Sequence, residues 1–348
     1  MATELKHTVK PSGGDYTTLD AAIDHLVAAH ANLVTADVYA TIEIDGTWSS
    51  ADTAAVTIAG LTTDATRYLH IYTTAAARHQ GAWSTSYYQL VTSNATALTI
   101  TTAHDVRIDG LQIGKSSSSA NGQAGIELGS GITPGSNYWI SNCIIKQAGN
   151  ALYREPGIAC GDADITLYAW NDIIYGLGAA DNSLNSAFYG YRGTLNIYSS
   201  ICIGGKYGVY AGGTSVVAKN VYAGGTITED FFLAAGTLDK TNCASEDQSA
   251  DDAGGSETAT NCVAAAVLID TDTFVNVTGG SEDFHLAADG LSPLVGVGVN
   301  TSGDSAPLDF STDIDGDTRD ATWDIGVDAW VVSAPSGMVN DLVIIFEC

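Results

Sequence analysis

The feature that most narrows what this chain can fold into is its self-similarity. Val106-Arg-Ile-Asp-Gly-Leu-Gln-Ile-Gly114 reads as two short alternating strands joined by a tight turn. Tyr138-Trp-Ile-Ser-Asn-Cys-Ile-Ile145 and Val216-Val-Ala-Lys-Asn-Val-Tyr-Ala-Gly224 repeat it without gaps. Ile165-Thr-Leu167 followed by Asn171-Asp-Ile-Ile174, and Leu195-Asn-Ile197 followed by Ser200-Ile-Cys-Ile203, repeat it with small insertions. A further strand precedes each copy at Gly125-Ile126, Gly157-Ile158, Ala187-Phe188 and Gly208-Val209. Ile158, Phe188 and Val209 each stand nine residues before Leu167, Ile197 and Ala218. A helical array would repeat apolar residues at a 3.6 period, and a sandwich would place hairpin turns between neighbouring strands; neither pattern fits.

A strand that recurs in fixed order is best satisfied by stacking each copy on the next, in parallel and in register, roughly 4.8 Å apart. The expected fold class is therefore all-β: a right-handed parallel β-helix with an N-terminal capping α-helix. In this reading Ile108, Ile140, Leu167, Ile197 and Ala218 form one inward column. Asn142, Asn171 and Asn220 fall between the paired strands, where a left-handed backbone is required. Asn242-Cys243 and Asn261-Cys262 echo Asn142-Cys143 and extend the coils toward residue 260. Upstream, residues 38–44, 55–58, 68–72, 88–91 and 97–100 alternate as strands of the first coils. Residues 17–29 form an amphipathic helix with Leu19, Ala22, Ile23, Leu26 and Val27 on one face, capped by Thr17 or Thr18. Such a helix covers the open strand edges of a first coil. The chain divides into an entry segment with the capping helix (residues 1–35), the β-helix (36–300), and a closing motif with an apolar tail (301–348).

Composition agrees with many strands and tight turns, since glycine numbers 38 and proline only 6. Thirteen basic residues against 40 acidic ones give a formal charge of −27, a surface that repels phosphate backbones and anionic lipid. Nucleic acid and membrane are thus not expected partners. The first residues carry no apolar signal-peptide run, so synthesis and folding in the cytoplasm is the expectation. Six cysteines at 143, 160, 202, 243, 262 and 348 are too dispersed for a disulfide framework, and read as reduced, mostly buried small residues.

The opening Pro11-Ser-Gly-Gly-Asp-Tyr-Thr-Thr-Leu-Asp-Ala-Ala-Ile23 resembles the entry motif of the pectin-lyase-like right-handed β-helix repeat proteins. Val56-Thr-Ile-Ala-Gly-Leu-Thr-Thr-Asp-Ala-Thr-Arg67 resembles an early coil of that group. Asp283-Phe-His-Leu-Ala-Ala-Asp-Gly-Leu-Ser-Pro-Leu294, Asp313-Ile-Asp-Gly-Asp-Thr-Arg319 and Trp323-Asp-Ile-Gly326 resemble its closing motif. The resemblance spans about residues 7 to 330 and resembles in particular chains carried by tailed phages. It implies a structural component of the virion, a head decoration or tail-associated protein without catalysis. Its implied partners are other virion proteins, further copies of itself as a homotrimer, and a surface glycan. A tailspike-like polysaccharide lyase or glycoside hydrolase and a non-catalytic glycan adhesin are the alternatives.

Chemistry for cleavage would need clustered carboxylates with a base. Arg107 and Asp109 with Asp105, joined by Lys146 or Lys219, make one such group; Asp162, Asp164 and Asp172 make another. Neither matches a lyase or polygalacturonase signature, and no catalytic residue is assigned. His70, His79, His104 and His285 are isolated in the sequence. Asp313, Asp315 and Asp317 have the alternate spacing of a calcium loop, with Asp324 at the twelfth position, but Thr318 replaces the required glycine. The competing reading is a closing turn in which carboxylates accept backbone N–H groups. Strand alternation turns Tyr189 and Tyr210 outward with Tyr191 and Tyr207 beside them, a patch suited to stacking on a sugar or a neighbouring subunit. The tail ends in Leu342-Val-Ile-Ile-Phe346, apolar enough to require docking on the helix end or another protein.

Overall fold

The computed structural model describes residues 2–101, 105–116, 123–129, 135–147, 155–162, 165–178, 185–287 and 290–330. The apolar tail and Asp164 and His104 among the residues singled out above lie outside these.

The chain is an all-β parallel β-helix. Three strands recur per coil and stack into three columns. The first column runs Thr3–Val9, Val38–Ile44, Leu69–Thr73, Val106–Asp109, Ser136–Ser141, Ile165–Trp170 and Thr194–Tyr198. The second runs Val56–Ile58, Leu98–Ile100, Ile126–Leu128, Ile158–Cys160 and Ser186–Gly190. Gln89–Ser93, Gln112–Ser116, Ile144–Gln147, Ile173–Leu177, Ile201–Gly204, Tyr222–Gly224 and Ala244–Ser245 make the third. Toward the C-terminal end, the first two columns merge. Tyr207–Lys219 and Glu229–Thr241 each pass through both, turning the corner without leaving the sheet. Gly236 permits this bend: its φ is +92°, and a Cβ there would lie 2.0 Å from the Thr214 carbonyl oxygen.

Alternation sends one residue in two inward, and the inward set is mostly apolar, with buried Lys240 continuing the first column beyond Ala218. In the second column Ile126, Ile158, Phe188, Val209 and Phe231 stand in register, as the repeat requires. In the first column the register is Ile108, Ile140, Ala169, Ile197 and Ala218. Leu167 instead belongs to the adjoining inward row with Tyr138, Leu195 and Val216. The expected column was therefore displaced by two residues in that coil. The cause is a longer corner: five residues separate Cys160 from Thr166, whereas three separate Gly190 from their partners' in-register position at Thr194. A two-residue shift preserves the inward phase, so Leu167 stays buried while its neighbours change.

The entry segment closes the other end. Thr3–Val9 pairs with Val38–Ile44 as the first strand of the first column, a strand that the sequence pattern did not disclose. The helix Leu19–His30 is capped by Thr18, whose hydroxyl accepts from the Ala21 amide at 3.3 Å. It packs Leu19, Ala22, Ile23 and Leu26 into the core above Val56–Ile58. Buried Asp52 holds it in place by accepting the Leu19 amide at 2.8 Å. No helix among the described residues is long and apolar enough to cross a membrane.

The last coil strand is Glu257–Thr260. From Val263 the chain turns back and lays residues 263–287 and 290–330 over the outer face of the third column. Ile144, Ile173, Tyr175, Ile201, Tyr222 and Ala244 are thereby buried against Phe274, Phe284, Leu286, Leu294, Ile325 and Val327. This second core explains why both faces of the third column are apolar, as in any sheet covered on both sides.

Candidate functional site: an aromatic stack on the coil wall

Tyr189, Tyr210 and Phe232 occupy successive in-register positions on the outer face of the second column. Strand spacing therefore sets their ring spacing. Tyr189 and Tyr210 stack with centroids 5.1 Å apart and planes 15° apart. Tyr191 continues the stack beyond Tyr189 at 6.4 Å and 5°. Tyr207 lies behind it, buried, with its ring 4.3 Å from Phe232 and 5.3 Å from Tyr210. All four tyrosines expected from sequence alternation are thus brought together. Phe232 was missed because its coil lies in an irregular 13-residue strand without a clear repeat.

The outer edge of the stack is accessible, Tyr191 being 47% exposed. Two of the chain's few cations flank it: the Arg192 guanidinium is 5.5 Å from the Tyr191 ring centroid and the Lys206 ammonium 5.4 Å from that of Tyr207. On a chain of charge −27 this is a local aromatic and cationic surface.

The residues considered for cleavage chemistry are placed differently. Arg107 is clamped between the Tyr68 and Trp139 rings, 3.5 and 3.7 Å from their centroids. Asp109 receives Arg78 through both oxygens at 2.8 and 3.1 Å, together with the Ser141 hydroxyl and the Asn142 amide. Burial opposes its charge, but Arg78 and these donors keep its carboxyl below the ordinary range. Asp172 points inward, accepts the Cys143 amide at 2.8 Å, and is pushed well up by burial. Asp162 is half-buried beside the corner, and Asp105 is buried. Lys146 pairs with Glu282 at 3.1 Å and Lys219 with Asp304 at 2.5 Å, both acidic partners coming from the returning layer. His70 stacks on Tyr72, and His79 is buried with Nε2 2.8 Å from the Asn142 carbonyl.

In the closing motif Asp313 makes a turn of its own. Its carboxylate accepts the amides of Asp315 and Asp317 at 3.0 and 2.9 Å and of Ala329 at 3.2 Å. Burial raises it to about 6. Asp324 likewise accepts the Gly296 and Trp330 amides. Asp315 turns away to His285, whose Nε2 lies 2.9 Å from it while Nδ1 meets Asp283 at 2.5 Å. Asp313, Asp315 and Asp317 do not converge. The ligand-type atoms that do, all within 4.8 Å of one another, belong to His285, Asp315 and Asp328. A mixed imidazole and carboxylate set of this kind suits a transition-type divalent cation better than calcium. Burial opposes protonation of His285, yet the hydrogen bonds to Asp283 and Asp315 carry it up to about 10, so the imidazolium itself bridges these carboxylates.

Comparison with protein-family models, with curated proteins and with solved structures finds no match for this chain. The class defined by the fold and the wall is a parallel β-helix solenoid with an exposed aromatic stack.

Proposed function

We propose that this chain is a non-catalytic structural component of a tailed-phage particle, presenting the Tyr189–Tyr191–Tyr210–Phe232 stack to another virion protein. The observation that carries the non-catalytic part is the use of Asp109 and Asp172. One is saturated by Arg78, Ser141 and Asn142, and the other is buried, accepts the Cys143 amide, and is pushed well above the ordinary carboxylate range by burial. The phage assignment draws on the entry and closing segments that resemble those of phage-borne β-helix proteins. Rigid aromatic rings supply contact area at small entropic cost, and Arg192 and Lys206 favour an acidic partner surface. Mass spectrometry of purified particles should detect the chain in stoichiometric amount; particles lacking it would remove the assignment. Tyr191→Ala with Tyr210→Ala should reduce its incorporation at least tenfold while leaving the fold intact.

A second reading is a glycan adhesin. It is favoured by the exposure of Tyr191 at the end of the stack, since an accessible tyrosine ring can pack against a sugar. Binding on an array of host surface glycans that the same double substitution abolishes, with normal incorporation into particles, would select it. Release of reducing ends or unsaturated uronates from host polysaccharide would instead contradict both non-catalytic readings.

A further inference from the structure

Two of the described cysteines stand directly over one another at the end of the solenoid. Lys240 and Thr241 pair with Ala259 and Thr260, and the ladder continues past the corner. The Asn242 amide donates to the Thr260 carbonyl at 2.9 Å, and the Val263 amide donates to the Cys243 carbonyl at 2.9 Å. Cys243 and Cys262 are therefore held in register between two backbone hydrogen bonds. Neighbouring parallel strands sit about 4.8 Å apart, which falls within the roughly 4.4–6.8 Å Cα separation that a disulfide spans. The Cys243 amide donates to the Cys262 sulfur at 3.4 Å, while the Cys243 thiol donates to the carbonyls of Ala218 and Thr241 at 3.4 and 3.5 Å.

The other described cysteines have no such neighbour. Cys143 stacks on Asp172, Cys160 between Leu128 and Gly190, and Cys202 between Ile174 and Ala223. Position on the solenoid separates the pair's two members. Cys243 is buried, whereas Cys262 is half-exposed because no coil follows. Its contact with Cys243, whose amide donates to the sulfur, lowers the Cys262 thiol to about 7 against the opposing effect of burial, so its thiolate is available to react near neutral pH.

We propose that Cys243 and Cys262 form an inter-coil disulfide when the folded protein meets an oxidising small-molecule disulfide, stapling the terminal coil to the one before it. The Cys262 thiolate attacks one sulfur of the oxidant, expelling its other half as a thiolate and leaving a mixed disulfide on Cys262. The Cys243 sulfur then attacks the Cys262 sulfur, expelling the second half, and the Cys243 proton passes to that leaving thiolate. Two cysteine thiols lose two electrons together, and one oxidant disulfide becomes two thiols. The location gives the staple its effect. A terminal coil has a stacking neighbour on one side only and opens before the interior coils do, so a covalent tie acts where the structure is weakest.

The test uses the full chain and oxidised glutathione, followed by alkylation of free thiols and a non-reducing digest. The expected product is a peptide carrying Cys243 joined to one carrying Cys262, two hydrogens lighter than the sum of the free peptides. Cys243→Ala should instead accumulate glutathione on Cys262, and Cys262→Ser should leave Cys243 reduced in the folded protein. Limited proteolysis between residues 244 and 261 should slow roughly tenfold or more in the oxidised native chain, and not in either variant. Recovery of both cysteines as free alkylated thiols, or of Cys262 joined only to glutathione in the native sequence, would overturn the proposal.

Discussion

Left-handed backbone at the corner between the first and third columns, recurring from Gly110 to Asn261, is the smallest device on which this fold rests. Asn142, Asn171, Asn220, Asn242 and Asn261 adopt φ between +50° and +55° there, where asparagine pays less strain than other L-residues. Their side chains then do further work. Asn171 donates to the Asn142 side chain at 3.1 Å and to the Thr312 carbonyl at 3.0 Å, and Asn220 exchanges two hydrogen bonds with Val299. The corner thus both turns the coil and receives the returning layer. Asn171→Gly keeps the backbone and loses these bonds, so chemical denaturation should show a smaller loss than for Asn171→Ala, by about 1 kcal/mol. Buried Arg319 completes the junction, donating to Asn171 Oδ1 at 3.2 Å and to the carbonyls of Gly326, Val327 and Asp328. Arg319→Ala orphans those acceptors and should lower stability by roughly 3–5 kcal/mol in the same assay. Among the groups that shape the pH response are one acid and one base. Burial, with the neighbouring Asp247 charge, lifts Asp230 to about 7, and the Asp283–Asp315 bridge lifts His285 to about 10. Both are raised in the folded state, so their stabilisation is complete below the ordinary value and lost as pH rises through the raised one. The midpoint should fall between pH 4 and 7 through Asp230 and again between pH 7 and 10 through His285. Asp230→Asn should flatten the first fall and His285→Gln the second; an unchanged profile in either variant would refute that assignment.

At the scale of elements, the strands that were legible in the sequence are those whose coils carry a regular aliphatic alternation. Ile126, Ile158, Phe188 and Val209 were alignable because each follows a small residue, Gly125, Gly157, Ala187 or Gly208, at the same place in its coil. The Leu167 alignment slipped because a corner length leaves no hydrophobic signature of its own. Thr3–Val9 went unread since, as an edge strand covered on one side, it alternates weakly: Leu5 and His7 are only partly buried. Tyr189 and Tyr210 were legible from parity, with Tyr191 and Tyr207 beside them, whereas Phe232 lies in a strand without a clear repeat and His285 and Asp328 meet partners from segments remote in sequence. The returning layer was invisible for the same reason. Three of its aromatic contacts are edge-to-face, with Phe284 at 5.1 Å from Tyr175 and 5.5 Å from Phe274, and Tyr222 at 5.3 Å from Phe274. Phe284→Ala should therefore cost about 3–5 kcal/mol and open residues 263–330 to protease before the coils unfold.

For the whole molecule, one dry interior and one returning layer are closed at the entry end by a helix and left thin at the other. A formal charge of −27 acts on this body as self-repulsion, so added salt should raise the unfolding midpoint until the charges are screened. Everything assigned to the wall, the asparagine corner and the cysteine pair depends on coils stacked in one particular register. That register puts Asn137 beside Thr166 on the outer face of the first column. In a Cys262→Ser background, oxidation of the Asn137→Cys/Thr166→Cys variant should form an intramolecular disulfide rapidly, and the Asn137→Cys/Tyr168→Cys variant should not. Fast closure of the second pair with failure of the first would contradict the stacking described here.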